Sequence, residues 1–332
     1  MARRRSRVGG TWGALCVLAL LAGGAYWWSA RSQPDQTEVR PGDLPKPAQP
    51  ERVTKLAAAT DDRESVKPES RAIGRPTPAD TRASAIPEAV LAEADQLAAG
   101  GKPVAARRRL AAALGTPEPP AGSENLRQRL YALADETIFG AKIYEGDPLT
   151  GTHVIRPGEV LHRVGAQYKV TAELLAMING IANVNQVRQG QRIKIVNGPF
   201  HAVVLKGNFD MYVYLQDTLV RHFKVGLGAN GSTPTGTWRV REKLRNPTYH
   251  PPRGGPIIAA DDPTNPLGEH WIGLEGVDGD AVGQTGYGIH GTIEPQSIGR
   301  SQSLGCIRLL NEEAELLFNL LLRDESTVVV RD

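Results

Sequence analysis

The chain has 332 residues, enough for two or three compact domains with linkers. Its formal net charge is +3, and much of that excess lies in the opening "MARRRSR", so no basic stripe with interleaved aromatics marks a nucleic-acid binder. Two cysteines, Cys16 and Cys306, exclude a disulfide framework, and 36 Gly, 24 Pro and 5% aromatic residues favour linkers and β-turns over a large helical core.

Residues 8–30, "VGGTWGALCVLALLAGGAYWWSA", carry no charge. As a helix they are long enough for about 30 Å of hydrocarbon. Trp27 and Trp28 stand where an aromatic belt would sit. The arginines before the run predict a cytoplasmic N-terminus and export of everything after Ala30. A cleaved signal peptide is the competing reading. It is disfavoured because Trp28 spoils a small-x-small cleavage site, and Leu15 before Cys16 argues against a lipoprotein signal. Residues 1–30 are therefore expected to be a basic tip and uncleaved transmembrane anchor. The remainder is expected in the periplasm or cell envelope, tethered to the inner membrane.

Residues 31–85 are rich in Pro, Ser, Thr and charge, with too little apolar content for a core, and predict a disordered linker. Residues 86–150 predict a helical spacer. "IPEAVLAEADQLAAGGKPVAARRRLAAALG" reads as two helices broken at "GGKP", and "SENLRQRLYALADETIFG" as a third with Ser123 as its N-cap. The first pair resembles one tetratricopeptide-type hairpin, a unit that cannot bury its apolar face alone.

Residues 151–197 run strand, helix, helix, strand. "HVI" precedes the turn "RPG", Val160, Leu161, Val164 and Tyr168 share one helix face, and "VTAELLAMING" is a second helix capped by Thr171 and stopped at Gly180. "VRQGQRIKIV" closes the unit. This order and these segments resemble the LysM domain, with a small βααβ fold. The resemblance implies binding to N-acetylglucosamine-containing glycans, mainly peptidoglycan or chitin. It implies a sugar groove between the loop Arg156 to Gly158 and the loop carrying Asn179, Gly180 and Ile181. His153 and His162 lack metal-ligand partners at suitable spacing and are read as surface or packing residues.

Residues 199–332 alternate apolar and polar in short runs broken by "GN" and "QD", which are hairpin signals. One late helix, "NEEAELLFNLLL", has Asn311 as its expected N-cap, and "STVVVRD" is a last strand. The expected architecture is an antiparallel β-sandwich or partly closed barrel with one or two helices. "SQSLGCIRLL" holds Cys306, sixteen residues after His290 in "GIHGT". A cysteine nucleophile needs a base or positive group, donors for an oxyanion, and a base oriented by a third group. Gly305 permits a tight backbone, a carbonyl beside Gly291 can hold the imidazole, and Arg308 can hold a carboxylate or shape the loop. A lone buried cysteine with no chemical role is the bland alternative.

"HGT", the sixteen-residue step and "S-x-G-C-I-R-L" together resemble the L,D-transpeptidase catalytic domain of the YkuD-like family, as do "TPTGTW", "NPLG" and "WIGL". The resemblance covers nearly all of residues 200–332. It implies Cys306 as nucleophile and His290 as its base, with the oxyanion held by backbone amides around Gly305 and Cys306. It places Ser303 and Arg308 in the same motif, with Arg308 meeting the donor peptide or bracing the loop. One position departs: the family often has His between this Ser and Gly, where this chain has Leu304. Residues 241–262 are a Pro- and Gly-rich stretch, either a flap over the site or a plain surface loop.

The expected protein is a membrane-anchored multidomain peptidoglycan L,D-transpeptidase forming 3→3 crosslinks through a cysteine thioester, with no metal and no cofactor. Its partners would be glycan strands and tetrapeptide stems. The rivals are another acceptor (a protein lysine, a D-amino acid or water) and a non-catalytic wall-binding protein. A sortase-like transpeptidase is disfavoured by the short His-to-Cys spacing.

Overall fold

The computed structural model describes residues 78–332 apart from Thr116, Pro117 and Ala121. The expected membrane anchor and most of the expected linker lie outside the described residues. Among those described, no helix is long and apolar enough to cross a membrane.

Three helices come first: α1 (Pro78–Ala99), α2 (Pro103–Leu114) and α3 (Glu124–Ala134), the last running into one π-helical turn (Asp135–Phe139). The first begins at Pro78 and not at Ile86, so residues 78–85 belong to it and not to the linker. Proline is tolerated in a first turn, where its missing N–H costs no bond, so Pro78 can open the helix. Ser123 stands at the N-cap position of α3, but its hydroxyl donates to the Pro120 carbonyl instead of capping the helix.

The next unit is β1 (Thr150–Val154), α4 (Leu161–Tyr168), α5 (Ala172–Ile178) and β2 (Arg192–Val196), with β1 and β2 antiparallel. Thr171 caps α5, accepting from Leu174 N at 3.0 Å, and Gly180 takes a positive φ just past its end.

The remainder is built on one eight-stranded sheet: β3 (Phe200–Leu205), β4 (Asp210–Leu215), β5 (Thr218–Lys224), β7 (Gly236–Arg245), β8 (His270–Asp278), β9 (Gly288–His290), β11 (Ile307–Arg308) and β12 (Thr327–Arg331). Its spatial order is β11-β9-β8-β7-β12-β3-β4-β5. A small parallel pair, β6 (Leu227–Gly228) with β10 (Ser301–Ser303), stands beside it, and helix α6 (Asn311–Leu320) packs against β8 and β9. The expected antiparallel sandwich or barrel is thus corrected to a mixed half-barrel sheet. β12 and β11 join β3 and β9 in parallel, because the chain returns through a helix or a loop rather than a hairpin.

Both faces of this sheet are covered at the β3–β4 end. Phe200, Ala202, Val204, Met211 and Val213 face a core that also takes in Leu161, Val164, Leu174 and Leu175 of the βααβ unit. The intervening Val203, Leu205, Tyr212 and Tyr214 face a second core made with Leu110, Leu126, Leu130 and Leu133 of the helices. The period of two along each strand sends alternate side chains to two different partners. The helical segment is therefore not a spacer between domains but a layer on this sheet, and the described residues form one compact unit.

A buried polar cluster links helices and βααβ unit. Arg107 and Asp147, both with fully buried side chains, pair at 2.7 Å, and Arg107 also donates to Thr137 Oγ1. Lys194, on β2, donates to the carbonyls of Thr137, Gly140 and Lys142 at 2.6–2.9 Å, satisfying the end of the π-helical turn. Burial pushes its ammonium down to about 8. Removing one partner of a buried pair leaves the other charge uncompensated. Arg107→Ala is expected to lower the unfolding free energy by about 3–5 kcal/mol in urea titrations, and a paired Arg107→Met, Asp147→Leu variant to recover most of it.

Candidate active site

Cys306 and His290 reach one pocket from neighbouring segments of the sheet edge. His290 ends β9, and β11, which follows Cys306, pairs with it in parallel, placing Arg308 opposite His290 and Ile307 opposite Ile289. The loop carrying Cys306 is tied at both ends. Ser303 Oγ donates to the Cys306 carbonyl at 2.6 Å and accepts from Gly305 N at 3.1 Å. Thr233 Oγ1 accepts from Gly228 N and donates to the Gly305 carbonyl, both at 2.8 Å. Gly305 has φ +135°, and a Cβ there would lie 2.7 Å from the Tyr287 ring and 3.0 Å from the Ser232 carbonyl. No other residue fits that position.

These bonds correct one expectation. The Gly305 N–H is committed to Ser303 and does not aim at an oxyanion. The Cys306 N–H has no partner among the described residues and remains as a donor at the nucleophile itself.

His290 is 4% exposed, and its Nδ1 lies 2.6 Å from the carbonyl of Gly291. A carbonyl only accepts, so Nδ1 carries the proton and Nε2 is left as an acceptor. Asn311 supports this turn: its Oδ1 accepts from Thr292 N at 2.9 Å. Asn311 is the first residue of α6 and not its N-cap, since its side chain is used here. A Cβ on Gly291 would come within 2.0 Å of that oxygen, and one on Gly268 within 2.4 Å. The glycines of "HGT" and "NPLG" therefore make room for one asparagine. Neither Asn311 nor Thr233 was assigned a site role from sequence. Thr233 lies in "TPTGTW", so its motif was visible without its bonds.

The Trp271 indole stacks on the His290 ring, with centroids 5.8 Å apart and planes 23° apart. Arg308 is held by Glu294 at 2.7 Å, and its Nε is buried without a partner. Cys306 is half-buried; its thiol donates to the Gly286 carbonyl at 3.7 Å and has no hydrogen bond to His290. Both line a pocket of about 350 Å³ with Arg308, Ser303, Leu304, Trp271 and Glu242. Leu304, the residue that stands where the family often has His, is 53% exposed and adds to its apolar wall. Of residues 241–262, the first five extend β7, and from 246 onward the chain forms the far wall through Pro247, Tyr249, His250 and Pro252. Asn265, 3% exposed, pins this loop by donating to the carbonyls of Pro247 and Ala259.

Burial pushes His290 down to about 4, opposed by its bond to Gly291 and assisted by the Arg308 charge. Burial also pushes the Cys306 thiol up, against the pull of the Gly288 N–H and Arg308. The resting pair is neutral thiol and neutral imidazole, not the thiolate expected of a nucleophile in waiting.

The βααβ unit presents its own cleft of about 430 Å³, lined by Gly180, Ile181, Ala182, Asn183, Gln186, Arg188 and Gln191. Gly180 and Ile181, two of the expected groove residues, line this cleft. Arg156 and Gly158 lie on an exposed turn and are not among the lining residues. Asn179 does not face a ligand. Its amide donates to the Leu175 and Lys194 carbonyls and accepts from Lys194 N, bracing α5 on β2. His153 is a packing residue, bonded to Glu159 at 2.8 Å and to Tyr168. Among the described residues no group of three or more His, Cys, Asp or Glu is placed to hold a metal ion.

Two pH dependences follow. An unfolded histidine titrates near 6.5, so between about pH 6.5 and 4 the unfolded chain takes up a proton that folded His290 refuses. The full stability is present above pH 6.5 and falls on acidification, by about 3 kcal/mol at pH 4 from this group. Urea melts across this range are expected to show that slope, and His290→Gln to reduce it. Alkylation of Cys306 by iodoacetamide is expected to be still rising at pH 9. A plateau already reached at pH 7 would mean a preformed thiolate–imidazolium pair.

Comparison with known proteins bears on both domains. Residues 199–330 match the family model of the YkuD L,D-transpeptidase catalytic domain, and residues 153–196 match that of the LysM domain. A Bacillus licheniformis protein named as the L,D-transpeptidase YkuD is 30% identical over 167 residues, spanning 48% of this chain and 86% of that protein. A Bacillus subtilis protein named as the L,D-transpeptidase YqjB is 36% identical over 124 residues, 36% of this chain and 65% of that one. The solved L,D-transpeptidase from Mycobacterium smegmatis overlays with a TM-score of 0.33 at 15% identity, over 43% of this chain and 64% of that one. With a matching catalytic domain and a relative covered over most of its length, the chain belongs to the YkuD family of L,D-transpeptidases and carries a LysM domain ahead of the catalytic domain.

Proposed function

We propose that this chain forms 3→3 crosslinks in peptidoglycan through a thioester on Cys306. The single observation that carries the reading is the neutral His290 in the pocket of Cys306, its Nδ1–H tied to Gly291 so that Nε2 is the nitrogen left to accept a proton. The Cys306 sulfur attacks the carbonyl of the diamino acid at the third position of a tetrapeptide stem, and its proton passes to His290 Nε2. The Cys306 N–H supports the oxyanion. The bond to D-alanine breaks, and D-alanine leaves with the proton from His290. The side-chain amine of a neighbouring stem then attacks the thioester, His290 takes a proton from it, and the thiol is restored with that proton.

Arg308 has a double part in this reading. Its pairing with Glu294 holds it beside His290 and Cys306, and its buried Nε offers one unspent donor to the stem. The LysM cleft at Gly180 and Ile181 would engage the glycan, raising the local concentration of stems at the catalytic pocket. The apolar run at residues 8–30 would anchor the chain in the inner membrane and leave both domains in the envelope.

The test is incubation of the full chain with disaccharide-tetrapeptide, read by mass spectrometry beside Cys306→Ala. The expected product is a dimer lacking one D-alanine, absent with the variant. D-alanine release without dimer would keep the thioester and replace the acceptor by water or a free amine. No D-alanine release, with glycan binding retained, would sink the enzyme reading in favour of a wall-binding protein.

A further inference from the structure

The sheet floor of the active-site pocket has a register that singles out Glu242. Across four strands, Leu244 faces Trp271, Trp271 faces His290, and His290 faces Arg308. Two residues along, on the same face, the row is Glu242, Gly273, Gly288, and next to Gly288 stands Cys306. Between the carboxylate and the thiol this second row has no side chains of its own. The gap is filled by the neighbouring row: a Cβ on Gly288 would lie 2.5–2.8 Å from Trp271 ring carbons, and one on Gly273 3.0 Å from the indole nitrogen. The Trp271 indole therefore lies across both glycines as a flat aromatic floor, with Cys306 at one end and Glu242 at the other.

The charges in this pocket are unequal in their commitments. Glu242 and Arg308 are its residues that carry charge at neutral pH. Arg308 is paired with Glu294. Glu242 is exposed into the pocket, and its carboxylate is in no ion pair or hydrogen bond among the described residues. An unspent anion at the end of an aromatic floor is suited to a cation on an apolar stem, since the methylenes lie on the ring and the ammonium meets the carboxylate.

We propose that Glu242 binds the side-chain ammonium of the donor's own diamino acid, so that Trp271 and Glu242 measure the length and charge of the residue whose carbonyl acylates Cys306. Distance separates donor from acceptor. Three strand spacings put the Glu242 and Cys306 backbones about 14 Å apart. The two side chains shorten this to the order of 7–10 Å between carboxylate and thioester carbon, and a diamino-acid side chain extends roughly 6–8 Å from its carbonyl carbon to its terminal nitrogen. The acceptor amine must instead come within bonding reach of the thioester carbon, and it must be neutral to attack. Glu242 is too far from that carbon and favours the charged form, so it serves the donor. This assignment rests on the transpeptidase reading above.

The experiment uses the full chain and two tetrapeptide stems with lysine at the third position and D-alanine at the fourth, one with the lysine side-chain amine free and one with it N-acetylated. D-alanine release and the Cys306 acyl-enzyme mass are followed over time. The wild-type chain is expected to favour the free-amine stem by about tenfold in kcat/KM, mostly through KM. Glu242→Gln is expected to abolish that preference, and Glu242→Asp to keep part of it. Because the readout is a ratio between two stems on one protein, a loss of folded enzyme does not imitate it. Equal rates for both stems on the wild type, or an unchanged ratio in Glu242→Gln, would overturn the role of Glu242 while leaving the transpeptidase reading intact. Absence of D-alanine release from either stem would sink that reading and this assignment with it.

Discussion

The Nδ1–H of His290 meets the Gly291 carbonyl at 2.6 Å inside a buried site, and the surrounding packing depends on keeping that bond. It fixes the tautomer, and so decides which nitrogen is left to accept a proton. It also opposes, without cancelling, the burial that keeps the ring neutral. Asn311 holds the next amide, Gly268 and Gly291 give Asn311 its space, and α6 brings it there. A backbone carbonyl in this role has one physical advantage over a carboxylate. It orients the imidazole without adding a charge that would hold a proton on the ring, which suits a base that must give its proton back to a leaving amine.

The same economy runs through the cysteine loop. Ser303 and Thr233 spend their hydroxyls on the loop backbone, and Gly305 spends its amide on Ser303. The conformation of the Cys306 loop is thereby set by the protein's own bonds, with the Cys306 amide left over. Preorganised donors of this kind need no rearrangement as charge develops.

The packing of the three modules gives the Cys306 pocket and the LysM cleft a shared frame. The strands β3 and β4 use one face for the LysM domain and the other for the helices, and the buried Arg107, Asp147 and Lys194 cluster ties those two to each other. A binding domain joined by a loose linker raises local concentration only on average. One packed into the same core also limits the orientations from which a stem can approach, which is the difference between proximity and alignment.

Much of this was legible in the sequence, and what was not shares one cause. The strand–helix–helix–strand order, the Thr171 cap, the hairpins after Phe200 and the pairing of Cys306 with His290 all come from local patterns: period, turn residues, a short motif. The helices were legible as helices, but their place was not. An amphipathic face announces that it must be buried and does not say against what, and here the partner is the far side of β3 and β4, about a hundred residues on. Asn179 and Asn311 carried plausible local roles, in a ligand loop and at a helix cap, and each was claimed by a contact that sequence distance hides. Glu242 showed nothing at all in the sequence, because its meaning lies in a register across four strands and in two glycines that let an indole lie flat. Sequence by itself determined most of the elements, the family and the motifs that carry Cys306 and His290. Tertiary structure alone decided the partners of each buried polar group, because hydrogen bonds and register are satisfied across the fold and not along the chain.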